Sequence, residues 1–185
     1  KNIIKNKEII DKKKFNRSSV PLWFVKAIQK SRLNLQEIIE NISEEPSLHI
    51  VFKNNNLIDD FNDEYDKTTD LSAFIKSRKQ IKDLDDYEKG HWWVQDLSSM
   101  LPLYLSPEIR SKKILDMCAA PGGKAFQAIS LNNTVTLNDI SLRRINTLST
   151  NLNRLNYSNK IKNYNALNIP EDEKFDVIIL DSPCS

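Results

Sequence analysis

Between residues 20 and 42 the apolar positions Leu22, Val25, Ile28, Leu35, Ile38 and Ile39 recur at helical spacing. Pro21 stands where a first helical turn tolerates a missing amide. The pattern predicts one or two amphipathic helices. Residues 48–53 (LHIVFK) then form a β-rich run after Pro46, and Asn54, Asn55 and Asn56 signal a turn. The stretch 59–88 is acidic and poorly periodic, and only a helix around residues 71–76 can be read from it.

The pattern changes at Gly90, where HWWVQDLSSMLPLYL opens a denser apolar segment. A domain boundary is expected near residue 89, with a small α+β domain at 20–89 and a second domain at 90–185. Strands predicted at 113–117, 134–138, 161–165 and 175–180 alternate there with helices at 125–131 and 141–155. Such alternation implies an α/β fold with a parallel sheet and right-handed crossovers.

Composition and charge narrow the function. With 39% hydrophobic residues in 185, the chain can build a packed core. No window approaches eighteen uninterrupted apolar residues, and the start KNIIKNKEII has no secretory pattern, so a soluble cytoplasmic protein away from membranes is expected. The overall charge of +2 hides an asymmetry: residues 1–32 carry a net +8, 33–90 a net −7, and 91–185 a net +1. Lys12, Lys13 and Lys14 are the densest basic run, suited to a nucleic-acid backbone. Taken alone, such a run more often forms a solvated face or tail. Cys118 and Cys184 have no Cys or His neighbours, which argues against zinc and predicts two free thiols.

The strand at 113–117 leads into Cys118, Ala119, Ala120, Pro121, Gly122, Gly123 and Lys124. Small residues, a φ-fixing proline and two glycines let backbone and ligand approach closely. The amides at the start of the next helix, with Lys124, favour an anion such as the carboxylate of S-adenosylmethionine. Asp139 follows Gly122 by 17 residues, about where a ribose-binding acid follows a glycine loop, and could accept from both ribose hydroxyls. Its bland alternative is a helix N-cap. The loop lacks the third glycine of a dinucleotide fingerprint, and Lys124 is followed by Ala125 rather than the Ser or Thr of a P-loop.

The apolar strand at 175–180 opens into Asp181-Ser182-Pro183-Cys184-Ser185, bringing a carboxylate and a thiol to the same end of the sheet. Methylating carbon 5 of a pyrimidine requires a thiolate to add at carbon 6, so Cys184 is a candidate for covalent work. A Pro-Cys pair by itself is more often structural.

These residues carry a family resemblance. VQDLSS (94–99), LDMCAAPGGK (115–124), LNDIS (137–141) and DSPCS (181–185), with a weaker likeness at PLWFVKAIQK (21–30), resemble the Sun-type RNA 5-methylcytosine methyltransferases, in particular those of bacterial 16S rRNA. The resemblance implies a Rossmann-like S-adenosylmethionine-dependent methyltransferase sheet preceded by a small domain of RNA-binding type, acting as a monomer on 16S rRNA, with tRNA cytosine as the alternative target. By the same resemblance Cys118 to Lys124 form the cofactor loop, Asp139 holds the ribose, Asn165 faces the adenine edge, and Asp181 lies between cofactor and base.

The resemblance also moves Cys184 from nucleophile to product release, because family members draw the nucleophile from a later Thr-Cys-Ser motif. None occurs here, so the expectation is an inactive fragment of a longer, seven-stranded enzyme, preceded by the end of a basic segment at 1–19 and poorly soluble alone. A non-catalytic RNA-binding module is the competing reading. Trp92 and Trp93 could stack on bases, but packing at the domain junction is expected, and His49 and His91 receive no catalytic role.

Overall fold

The computed structural model describes residues 20–43, 46–168 and 173–182. The basic segment 1–19 and Cys184 lie outside the described residues. The chain divides between Pro46 and Ser47 into two compact units. The first contains α1 (Leu22–Lys30) and α2 (Leu35–Ser43). Two helices form instead of one because Arg32 takes a left-handed φ of 59° after the last turn of α1. The Asn34 side chain then accepts the Gln36 and Glu37 amides at 3.0 and 3.4 Å, which starts α2.

The second unit begins with β1 (Leu48–Phe52), followed by a short helix α3 (Asn56–Asp59), β2 (Tyr65–Thr69), β3 (Ser72–Ile75) and β4 (Trp92–Val94). They form an antiparallel sheet in the order β2-β3-β1-β4. The helix expected around residues 71–76 is therefore strand β3. A short apolar run cannot be assigned by period alone, and here pairing with strands on both sides decides it. The acids of the 59–88 stretch serve local structure: Asp63 accepts the Asp85 amide at 2.7 Å, and Asp85 accepts the Asn62 amide at 3.0 Å.

Strand alternation sends neighbouring residues into two different cores. Ile50, Phe52 and Trp92 pack with Ile58, Phe61 and Leu84, whereas Val51 and Trp93 join Met100, Ile114 and Phe126. Trp92 and Trp93 are 0% and 2% exposed, so both are core residues. Burying about 150–250 Å² per ring stabilises the fold by at most about 4–6 kcal/mol each. Both indole N–H groups are satisfied, by Asp85 O at 2.7 Å and Gln95 Oε1 at 2.8 Å. The boundary expected near residue 89 falls inside this compact unit, because β4 returns to pair with β1.

Asp96 caps α4 (Leu97–Tyr104) through the Ser98 and Ser99 amides. Next come β5 (Lys113–Asp116), α5 (Gly123–Ser130), β6 (Thr134–Asn138), α6 (Leu142–Arg154), β7 (Ile161–Lys162) and β8 (Val177–Ile179). The four strands are parallel in the order β7-β6-β5-β8, as the alternation predicts. β7 is shorter than the expected 161–165 because the Asn138 carboxamide takes the Tyr164 amide at 2.9 Å and turns the chain away from the sheet.

The two sheets are joined at the end of α6. Arg154 donates to Tyr87 O and Trp92 O at 2.8 and 3.1 Å, its guanidinium lies 4.2 Å from the Tyr87 ring centroid, and Lys53 Nζ donates to Leu155 O. Gly90 makes this approach possible. It has a φ of 66°, and a Cβ there would meet Arg154 O at 1.9 Å. Gly90→Ala is expected to destabilise the fold by about 2–3 kcal/mol, read as a lowered urea midpoint at unchanged slope. A midpoint equal to that of wild type would show that the junction yields without cost.

Candidate functional site

The carboxyl end of β5 delivers Asp116 to a cavity of about 410 Å³, within the range of small-molecule sites. Its lining includes Asp116, Cys118, Ala119, Ala120, Pro121, Gly123, Lys124 and Asp181 from the predicted segments, and adds Val94, Ser99 and Ser182. Gly122 has a φ of 127° and touches the ring of Phe126, where a Cβ would lie 1.8 Å from Cζ. No other residue could make this turn without strain. The turn lets α5 begin at Gly123, two residues earlier than expected, so its unpaired first-turn amides belong to the same loop as the cavity wall.

Lys124 joins two strand tips. Its Nζ lies 2.7 Å from Asp181 Oδ2 and donates to Ser99 Oγ at 2.6 Å. The glycine turn after β5 and the Asp181 end of β8 therefore meet at one edge. The Asp181 side chain is 60% exposed, so this ion pair adds little stability and acts chiefly to fix position.

Asp116 is almost fully buried, and desolvation lifts its carboxyl from 3.8 to about 7, against the stabilising Cys118 amide at 3.3 Å. Asp181 pushes in the same direction as burial, while Lys124 opposes it. The Cys118 thiol is free and pushed up by burial, then by Asp139 and Asp116, so it stays protonated and is no nucleophile.

Gly122, Asp139 and Asn165 do not line the cavity. Asp139 is completely buried. Its Oδ1 accepts Ser141 N at 2.9 Å, Arg144 Nε at 3.1 Å and Arg144 Nη2 at 2.9 Å, and its Oδ2 accepts Ala120 N at 3.4 Å. The N-cap role belongs to Ser141, which accepts the Arg144 amide. Asn165 is exposed, and its side chain accepts the Leu167 amide at 3.0 Å. The side chain that reaches the Asp139 segment is Asn163, donating to Asp139 O at 2.7 Å and Ile140 O at 3.0 Å. Sequence reasoning gave no role to Ser99, which lines the cavity, or to Asn163 and Arg144, which bond to the Asp139 segment. The only signal for Arg144 was a cation in the first turn of a helix, where the dipole disfavours it.

A buried polar chain supports the loop from behind. Gln95 Nε2 donates to Gln127 Oε1 at 3.1 Å, and Gln127 Nε2 donates to Met100 O at 2.9 Å. A Cβ on Gly123 would come within 3.3 Å of Gln95 Cγ. Among the described residues no group of His, Cys, Asp and Glu could hold a metal ion, and no helix is long and apolar enough to cross a membrane.

A parallel sheet with a glycine turn after its first strand and a buried acid after the next defines a Rossmann-like domain of the methyltransferase class. Solved structures agree in fold. A methyltransferase homologue from Pyrococcus horikoshii superposes with a TM-score of 0.67 at 21% identity, over 80% of this chain and 54% of the other. NSun6 from the same organism, solved with SFG, superposes at 0.52 with 29% identity, over 62% and 32%. Residues 102–185 match the family described as 16S rRNA methyltransferase RsmB/F.

Among curated relatives, ribosomal RNA small subunit methyltransferase B of Shewanella oneidensis is 30% identical over 185 aligned residues, 90% of this chain and 42% of the relative. The human 28S rRNA (cytosine(4447)-C(5))-methyltransferase is 38% identical over 105 residues, 54% of this chain and 13% of the relative. The chain thus spans less than half the length of either.

The buried carboxyl gives a pH test. Because Asp116 holds its proton to about pH 7 in the fold but only to 3.8 when unfolded, its contribution is full below the unfolded value and lost as pH rises to about 7. Asp116→Asn is expected to flatten the fall in stability between about pH 4 and 7, measured by denaturant melts at each pH. An unchanged slope would mean that Asp116 titrates normally.

Proposed function

We propose that this chain supplies the cofactor-binding part of an RNA cytosine-5 methyltransferase that uses S-adenosyl-L-methionine and acts, as a monomer in the cytoplasm, on 16S rRNA. The observation that carries the reading is the Lys124–Asp181 pair at 2.7 Å, which brings the glycine loop and the Asp181-Ser182 end of β8 to one cavity. The residues present fit the cofactor: the small side chains of the loop and the first-turn amides of α5 suit its carboxylate end, and the buried Asp116 suits its cationic centre. When bound, the cofactor supplies an electrophilic methyl group.

The reading gives the chain's own residues these roles. Cys118, Ala119, Ala120, Pro121, Gly122, Gly123 and Lys124 cradle the amino-acid end, Asp139 receives the ribose, and Asn165 or its neighbour Asn163 meets the adenine edge. Asp181, with one oxygen held by Lys124, keeps the other free to accept from the exocyclic amino group of the cytosine and so orients the ring. Cys184 assists release of the methylated base. The net +8 of residues 1–32 attracts the RNA backbone without reading its sequence.

Incubation of the full-length protein that contains this chain with methyl-labelled S-adenosylmethionine and 16S rRNA, followed by digestion to nucleosides, should place label on 5-methylcytidine. Label on another base, or only in tRNA, would overturn the rRNA cytosine assignment. Asp181→Asn should lower kcat by about 10²–10³-fold while the melting temperature stays that of wild type, since the side chain is exposed.

A further inference from the structure

Beside the glycine loop lies a second cavity, of about 270 Å³, that none of the roles above uses. Val94, Pro121 and Gly123 line both it and the cavity at the end of β5, so one ridge separates the two. Its volume falls below the usual range of small-molecule sites and leaves room for one ring system rather than a whole cofactor. Ile81 and Val94 are 42% and 46% exposed, and with the exposed Pro121 they set three apolar side chains at its mouth. The buried rings of Trp93 and Phe126, packed edge to face at 6.0 Å, form its floor. Such surfaces cover the face of any base.

The polar groups of this cavity come from one helix face. Asn151 and Arg154 stand three residues apart on α6, and both line it. Asn151 Nδ2 donates to Pro121 O at 3.1 Å, which orients the amide and leaves Oδ1 an acceptor without a partner among the described residues. Arg154 spends Nη1 and Nη2 on Tyr87 O and Trp92 O, so it is no clamp for a phosphate. The exposed acids Asp83 and Glu88 of the adjoining loop disfavour a phosphate there as well. Arg154 Nε is buried and has no hydrogen-bond partner among the described residues, a cost that an incoming acceptor would remove.

We propose that this cavity is a second base subsite, which holds an unpaired base of the RNA strand next to the one presented to the methyl donor and prefers adenine or cytosine. The inference rests on the RNA reading given above. The pairing edge of adenine or cytosine sets an amino donor beside a ring-nitrogen acceptor. The amino group donates to Asn151 Oδ1, and the ring nitrogen accepts from Arg154 Nε. Uracil presents a carbonyl beside an N–H, the opposite order, and leaves both groups unsatisfied. A strand that reaches the first cavity passes the shared ridge of Val94, Pro121 and Gly123, which is why the occupant belongs to that strand.

The test is fluorescence polarisation of the full-length protein that contains this chain, saturated with S-adenosylhomocysteine, against labelled single strands of adenylate, cytidylate and uridylate of equal length. Adenylate and cytidylate should bind about fivefold or more tightly than uridylate. Asn151→Leu, whose fold is checked by circular dichroism and melting, should cut that preference to below about twofold, while Asn151→Asp, which keeps an acceptor, should preserve it. Ile81→Ser should weaken adenylate and cytidylate by about threefold or more and leave the affinity for S-adenosylhomocysteine as in wild type. Where Asn151→Leu does not fold, the wild-type preference and Ile81→Ser decide. Equal affinity for the three strands in wild type, or an unchanged preference in a folded Asn151→Leu, would overturn the second subsite alone. Failure of the folded wild type to bind any RNA, 16S rRNA included, would overturn the RNA reading and this inference with it.

Discussion

Three carboxylates converge at the carboxyl edge of the parallel sheet, and two cations keep them compatible. Asp116 sits buried on the cavity wall, Asp181 is held by Lys124, and Asp139 is covered and held by Arg144. Like charges so close in a poorly hydrated place would repel strongly, and the fold meets this in three ways. It pairs one acid near solvent, pairs one in the interior, and leaves the third protonated up to about pH 7.

Much of this was legible in the sequence because the governing signals are local. The glycine turn, the apolar run of β8 and the alternation of strand and helix all follow from short-range sterics and from burial on both faces of a parallel sheet. The cavity lining from Cys118 to Lys124, save Gly122, and Asp181 came from the same reading. Gly122 turns its φ of 127° against Phe126 and shapes the loop without facing the cavity.

What escaped the sequence depends on contacts distant along the chain. β3 reads as a helix because SAFI has no decisive period, and only its two strand partners fix it. Asp139 was expected either to bind a ribose or to cap a helix, and its bonds to Ala120, Ser141 and Arg144 cannot be deduced from spacing. Ser99 reaches Lys124 across 25 residues, a pairing that no linear motif encodes. The acids of the 59–88 stretch looked like a uniform patch, yet Asp63 and Asp85 are spent on backbone amides of loops that strand pairing brings together.

The adjacent indoles of β4 have a further consequence. Trp92 seals one apolar core and Trp93 the other, and a single peptide unit connects them. Neither core can come apart without dragging on the other, so residues 47–185 should melt as one cooperative block. The antiparallel layer would then serve as a stiff handle on the loop machinery, and whatever grips that layer would orient the cavity at the end of β5 in the same stroke.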